Sequence, residues 1–330
     1  MKILCRSLAT ALLLANGLCL GSVVGAAADP VKVAIVAVNA DVPTVNRMVV
    51  TATEAAKKKG WEVESFFGRG DQVAVNNAAA AYIDRGFNAI INIASPNPQM
   101  TAVIKKANEA HIPFVSTFSG LVPGVTADIG SNNVVDGVVA ATELVGRLAG
   151  EGHVLKFNWT VLPATHDRDR GFHAVVSAYP KIEVTEIEVK VPGQVDDTYA
   201  KMQNLLLSDT KHEIKAVWVG WDELAIPAVR AIAEAKRTDI FVVGMDGIQP
   251  VYDLIRKDPS MAATVAYDVD RMGSTAVAVT ALALAGKQLS TRLITLKPCL
   301  VDKQTVQPAG QEPDFKNCIL FSGEEIKLEQ

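Results

Sequence analysis

Two short motifs stand where apolar runs end. Val242-Val243-Gly244-Met245 leads into Asp246-Gly247, and Ala216-Val217-Trp218-Val219 leads through Gly220 into Trp221-Asp222. A carboxylate at the end of a buried run can accept paired hydrogen bonds from hydroxyls or an amine, and charge-assisted bonds are the stronger kind. A tryptophan beside it can stack on the apolar face of a sugar ring or over a cation. Trp159, after the run His153 to Phe157, offers a second indole in an equivalent place. Both aspartates also admit plainer roles: Asp246-Gly247 reads as a turn, and Asp222 stands where a helix cap would. This is recognition chemistry. The sequence holds no G-x-S-x-G, H-E-x-x-H or P-loop, and no G-x-G-x-x-G after a strand. His153, His166, His173 and His212 lack the spacing of zinc ligands. Asp222 with Asp246 as the two carboxylates of a hydrolase is the one enzymatic alternative. The expectation is a binding protein with no cofactor and no metal.

The elements that must position these residues follow a regular alternation. Val31 to Val38 is a nearly continuous β-branched run, suited to a strand buried on both faces. Helix-like segments at about 44–59, 73–85 and 100–110 alternate with strand-like runs at 62–67, 89–93 and 113–116. The alternation restarts near Gly152, with strands at 153–157, 182–191, 216–219 and 240–243 and helices at about 170–179, 198–207, 224–235 and 250–257. Such alternation builds parallel sheets with right-handed crossovers, and two runs of it make two doubly wound α/β lobes. Ligands bind such sheets outside the carboxyl ends of the strands, where the motifs above stand.

The start of the chain sets its compartment. Lys2 and Arg6 precede an apolar run from Leu8 to Val24 that ends in Gly25-Ala26-Ala27-Ala28. This is the layout of a secretory signal peptide cleaved near Ala28, and the run is short for a bilayer span of about 20 residues. Residues 1–28 are therefore expected to leave, with Cys5 and Cys19. The formal net charge is −4 before the two signal cations are lost, and an acidic surface argues against a nucleic-acid partner. About 300 remaining residues exceed what one core usually supports. Cys299 and Cys318 remain. In an oxidising compartment they are expected either to pair, worth about 3 kcal/mol for so short a loop, or to stay as two buried thiols.

Several segments, in order and at consistent spacing, carry a family resemblance. They are Asp84-Arg85-Gly86-Phe87-Asn88-Ala89-Ile90-Ile91, Ala107-Asn108-Glu109-Ala110-His111-Ile112-Pro113-Phe114-Val115, Gly130-Ser131-Asn132-Asn133, Met202-Gln203-Asn204-Leu205-Leu206, Ala216 to Ala225, Val242 to Gly247, and Ala262 to Tyr267. Over about 31–305 the chain resembles the sugar-type periplasmic binding proteins, the ribose- and galactose-binding family. The resemblance implies a type I periplasmic binding fold: two doubly wound parallel-sheet lobes joined by a three-strand hinge. The lobes would be 29–131 plus 267–292 and 132–266 plus 293–330, with crossings near Ser131, Ala266 and Thr295. It implies a monomeric periplasmic solute-binding component of an ABC-type importer, closing on a sugar, polyol or similar polar molecule and handing it to a membrane permease. A few members instead report to a membrane sensor, and the sequence leaves that alternative open.

The resemblance also assigns residues. Asp246 falls on the aspartate that accepts ligand hydroxyls, and Trp221 on a position that is usually asparagine. Tyr267 takes the place of a glutamine at the last crossing. Within Thr165-His166-Asp167-Arg168-Asp169-Arg170-Gly171-Phe172, the ligand-binding arginine falls on His166 and a second arginine on Arg168. The first lobe departs further. Asn39-Ala40-Asp41-Val42-Pro43-Thr44-Val45 keeps the proline of "N-P-F-F" but neither phenylalanine, which leaves Asp41 as a contact from this loop. Asn97 follows the third strand. Phe118-Ser119 replaces an Asp-Arg pair, and Phe118 could supply the missing aromatic wall. These departures put ribose itself in doubt.

Overall fold

The computed structural model describes residues 29–322, so the signal-peptide reading lies outside the described residues. Among those described, no helix is long and apolar enough to cross a membrane. The first half runs β1 (Lys32–Ala37), α1 (Pro43–Lys58), β2 (Glu62–Phe67), α2 (Gln72–Asp84), β3 (Ala89–Ile93), α3 (Thr101–Glu109), β4 (Phe114–Thr117) and β5 (Ala127–Gly130). The second runs α4 (Asn133–Leu148), β6 (Glu151–Asn158), α5 (Pro163–Val176), β7 (Lys181–Glu188), α6 (Gln194–Ser208), β8 (Ile214–Val219), α7 (Ala225–Glu234), β9 (Phe241–Asp246), α8 (Gln249–Lys257) and β10 (Met261–Ala266). α9 (Val269–Leu284), β11 (Leu293–Thr295) and β12 (Cys299–Asp302) follow.

The strands form two six-stranded sheets, ordered β11-β5-β4-β3-β1-β2 and β12-β10-β9-β8-β6-β7. All pairings are parallel except β10 with β12. In each sheet the chain steps one way from its first strand and then crosses back to the other side. This creates a topological switch between β1 and β3 and another between β6 and β8. Alternate residues of β1 serve opposite faces. Val33, Ile35 and Ala37 pack with α1 and α9, while Ala34, Val36 and Val38 pack with α2 and α3. In the second lobe Leu155 and Phe157 face α6 to α8, and Ala216 and Trp218 face α4 and α5. Both faces of each central strand are buried, which explains the near-continuous apolar runs.

Two expectations need correction. The 293–330 assignment to the second lobe fails at its start: Leu293–Thr295 pairs with Asp128–Gly130 of β5, so that crossing falls after Thr295. The helix expected from about Arg170 begins at Pro163. Proline fits the first turn because its missing N–H would have no intrahelical acceptor there, so the charged segment 165–170 lies within a helix. His166 and His173 both lie on α5.

The C-terminal segment is strapped to the second lobe. Cys299 and Cys318 are disulfide-bonded with their Cα atoms 5.6 Å apart. Arg256 Nη1 donates to the Gln307 carbonyl at 2.7 Å. Glu312 Oε1 accepts from Arg47 of α1 at 2.8 Å and from Gln249 of α8 at 3.0 Å, so the strap touches both lobes.

Candidate functional site

The carboxyl ends of the two sheets face each other across a cavity of about 80 Å³. The first lobe contributes Val38, Asn39 and Val42 after β1, Thr44, Val45 and Met48 from α1, Ala94 after β3 and Phe118 after β4. The second contributes Trp159 and Leu162 after β6, Ala164, Thr165 and Arg168 from α5, Val191 and Gln194 near the start of α6, Trp221 after β8 and Asp246 at the end of β9. Three of these strand ends turn sharply. Ala94 and Phe118 have φ of 51°, and Asp246 has φ of 132°. Non-glycine residues rarely adopt such values, and where they persist the surrounding structure holds them. At Asp246 the turn leaves the carboxylate among the residues lining the cavity.

Asp246 is the centre of the polar chemistry. Its Oδ1 accepts from Arg168 Nη1 at 3.0 Å. Its Oδ2 accepts from Thr44 Oγ1 at 3.3 Å, a bond that reaches across from the first lobe. Burial pushes the Asp246 carboxyl up to about 6, against the pull of the Arg168 charge and its hydrogen bond. Arg168 is fixed on the other sides as well. Nη1 also donates to the Gly220 carbonyl at 2.7 Å and Nε to Asn133 Oδ1 at 3.2 Å. Its guanidinium lies over the rings of Tyr267 at 4.9 Å and Phe118 at 5.5 Å. Desolvation opposes its charge, but Tyr267, Asp246 and Asp136 leave its pKa raised.

Two more buried carboxyls lie behind the cavity. Asp222 is fully buried and accepts from Thr264 Oγ1 and from the backbone N–H groups of Gly247 and Ile248 at 2.8 and 3.2 Å. Burial first, and the Asp246 charge second, push it up to about 7. Asp136, at the start of α4, accepts from Ser131 Oγ at 2.8 Å, and burial pushes it up to about 7 as well.

Of the residues singled out in the sequence, the cavity brings together Asp246, Trp221, Arg168, Phe118 and Trp159. Five others stand elsewhere. Asp222 secures the turn after β9 and makes no capping bond for the helix that follows it. Tyr267 is buried at the hinge with its ring against Arg168 and Phe118. His166 is exposed: two residues apart on a helix is about 200°, so Arg168 and His166 point to opposite sides. Asp41 is exposed, and its N–H donates to Asn39 Oδ1. Asn97 is fully buried, donating to Ser116 Oγ at 2.8 Å and to the Gly120 carbonyl at 2.6 Å, so it braces the β4 loop. Sequence reasoning missed Thr44, Met48 and Gln194. The first two had a signal: Val42-Pro43-Thr44-Val45 echoes Leu162-Pro163-Ala164-Thr165, and Met48 then falls where Arg168 does. Gln194 follows a Pro-Gly turn with no pattern to mark it.

The lobes meet at the lips as well as in the cavity. An added Cβ on Gly70 would lie 2.8 Å from Pro192, and one on Gly120 would lie 2.8 Å from Pro163. Glycine at both places lets a proline of the other lobe approach.

Two doubly wound lobes sharing one cavity at their strand ends define a two-lobe binding protein. Residues 33–288 match the family model of the periplasmic binding protein domain, and the chain belongs to that family. It is similar to the ribose import binding protein of Salmonella typhimurium, with 33% identity over 195 residues, covering 57% of this chain and 63% of that protein. The match thus spans under two thirds of that relative's length. It is 27% identical over 236 residues to a D-apiose import binding protein of Paraburkholderia graminis, covering 71% of this chain and 74% of that protein. The crystal structure of an ABC transporter solute binding protein from Agrobacterium vitis with bound allitol superimposes with a TM-score of 0.79 and 27% identity, covering 83% of this chain and 96% of that one. The fold is that of the type I periplasmic binding proteins.

Proposed function

We propose that this chain is the exported solute-binding component of an ABC-type importer, and that it closes its two lobes around a small, hydrogen-bonding, sugar- or polyol-like molecule. One observation carries the reading. The Asp246 carboxylate, in the cavity, is held by Arg168 of its own lobe and by Thr44 of the other, so a single polar centre links closure to the contents of the cleft. A ligand that contacts both lobes favours the closed state by its differential affinity for it. The relatives named for ribose and D-apiose import, and the allitol-bound neighbour, support the ligand class and a membrane permease as partner. Removal of residues 1–28 and action as a monomer belong to the same reading. Asp222, the partner carboxylate of the hydrolase alternative, accepts from Thr264 and two backbone N–H groups and is not among the described residues that line the cavity, which favours binding over hydrolysis by that pair.

The test is a thermal-shift screen of pentoses, hexoses and polyols, followed by small-angle scattering. A ligand that raises the melting temperature should also reduce the radius of gyration. Thermal stabilisation without compaction would overturn the clamp.

A further inference from the structure

The cavity gathers its polar atoms on a few residues and is otherwise walled by apolar side chains. Its polar side chains are Asn39, Thr44, Thr165, Arg168, Gln194 and Asp246, and most are already engaged with the protein. Each Asp246 oxygen already accepts one bond, from Arg168 and from Thr44, and keeps one lone pair. The Thr165 hydroxyl bonds the carbonyl oxygens of Trp159 and Leu162. Among the described residues, Arg168 Nη2, the Asn39 amide nitrogen and the Trp159 indole nitrogen have no protein partner, and Gln194 Oε1 is buried without one. That leaves three donor nitrogens and one wholly free acceptor, beside the second lone pair of each Asp246 oxygen. The remaining wall is hydrocarbon and indole, chiefly Val42, Val45, Met48, Leu162, Trp159 and Trp221. Arg168 and Asp246 cancel each other's charge at 3.0 Å, so this pair asks for no ionic group.

We infer that the ligand of this site is a neutral, small amphiphile with a hydrogen-bonding edge toward Arg168 and Asp246 and an apolar body against the hydrocarbon wall, such as a deoxy- or alkylthio-substituted pentose. The inference rests on the clamp reading above. A fully hydroxylated pentose would turn hydroxyls toward valine, methionine and leucine, and each hydroxyl buried without a partner lowers affinity by about tenfold or more. Replacing such a hydroxyl by hydrogen removes that loss. Adding a methylthio group gains further contact, because each methylene that fills an apolar pocket is worth roughly tenfold or more. Thioether sulfur also packs well against aromatic rings, and Trp159 and Trp221 supply two.

Calorimetric titration of the purified protein with ribose, 5-deoxyribose, 5-methylthioribose and 5-amino-5-deoxyribose tests this, with scattering on each mixture. The expected order is 5-methylthioribose tightest, 5-deoxyribose next, and ribose at least about tenfold weaker than either. Met48→Gln, which puts an amide into the apolar wall, should narrow the gap between ribose and 5-deoxyribose. Ribose binding as tightly as both neutral analogues would overturn the inference and leave the clamp standing, provided ribose compacts the protein. Preference for the amine would overturn the neutral-ligand assignment. Absence of compaction with all four compounds and with the polyols of the first screen would overturn the clamp and this inference together.

Discussion

The two lobes build their cleft faces from the same frame and fill it with opposite chemistry. In each, a helix starts on a proline behind an apolar residue that makes no side-chain capping bond: Val42-Pro43 for α1 and Leu162-Pro163 for α5. Five residues past the proline stands a buried side chain that lines the cavity, Met48 in the first lobe and Arg168 in the second. The methionine needs no partner. The arginine is desolvated and must be matched, and Asp246, the Gly220 carbonyl and Asn133 do so. The second lobe thus carries the polar anchor together with the partners that make it tolerable. The first lobe is mainly an apolar lid, joined to the anchor through the Thr44 hydroxyl.

The largest test erases the difference. Arg168→Met gives the second lobe the side chain of the first. It should strand a buried Asp246 and destabilise the fold by about 3–5 kcal/mol, with ligand affinity lost beyond measurement. Urea unfolding and calorimetric titration read both. A variant as stable as the parent, with unchanged affinity, would remove the polar anchor from the second lobe. The same pairing means that Asp246→Ala cannot be a clean binding mutant, because it leaves Arg168 buried and unmatched.

A smaller effect is expected from Thr44→Val, which removes the first lobe's bond to the anchor and keeps its shape. Affinity should fall by roughly tenfold and global stability by about 1 kcal/mol. Scattering of the ligand-bound variant should show a less complete compaction. Unchanged affinity and compaction would mean that the lid closes on apolar contact alone.

The smallest effect is in pH. Asp136 and Asp222 are pushed up to about 7 and Asp246 to about 6, above the ordinary carboxylate range near 4. The native state therefore holds protons that the unfolded chain releases, and stability falls as pH rises through these values. The contribution is fully present below about pH 4 and lost above about pH 7. The melting temperature should drop by a few degrees between pH 5.5 and 8. Asp136→Asn, which cannot ionise, should flatten part of that slope. An equal slope in the variant would show that Asp136 is already matched in its charged form.

Much of the fold was legible in the sequence because its causes are local. Strands buried on both faces read as β-branched runs, and glycines and prolines mark where the helices stop and start. The expected β2 and β3 coincide with Glu62–Phe67 and Ala89–Ile93. The start of α5 was misplaced because the charges of 165–170 look like a solvated loop, while Pro163, the true start, gave the same signal as Pro43. Asp246 and Trp221 were legible because residues after parallel strands must reach the cleft. Asp222 and Tyr267 satisfied the same rule and are sealed behind the cavity, where hydrogen bonds to Thr264 and packing on Arg168 hold them.

By itself, the sequence determined that two parallel doubly wound lobes form and that their strand ends carry acidic and aromatic side chains. These follow from the periodic burial of residues a few positions apart. Only the tertiary structure decided which of those side chains enter the cavity. The bond from Thr44 to Asp246 joins residues 202 positions apart, and that from Arg168 to Asp246 joins residues 78 apart. The phase of α5 turns Arg168 inward and His166 outward. Such choices depend on where distant elements pack, and no local pattern in the chain records them.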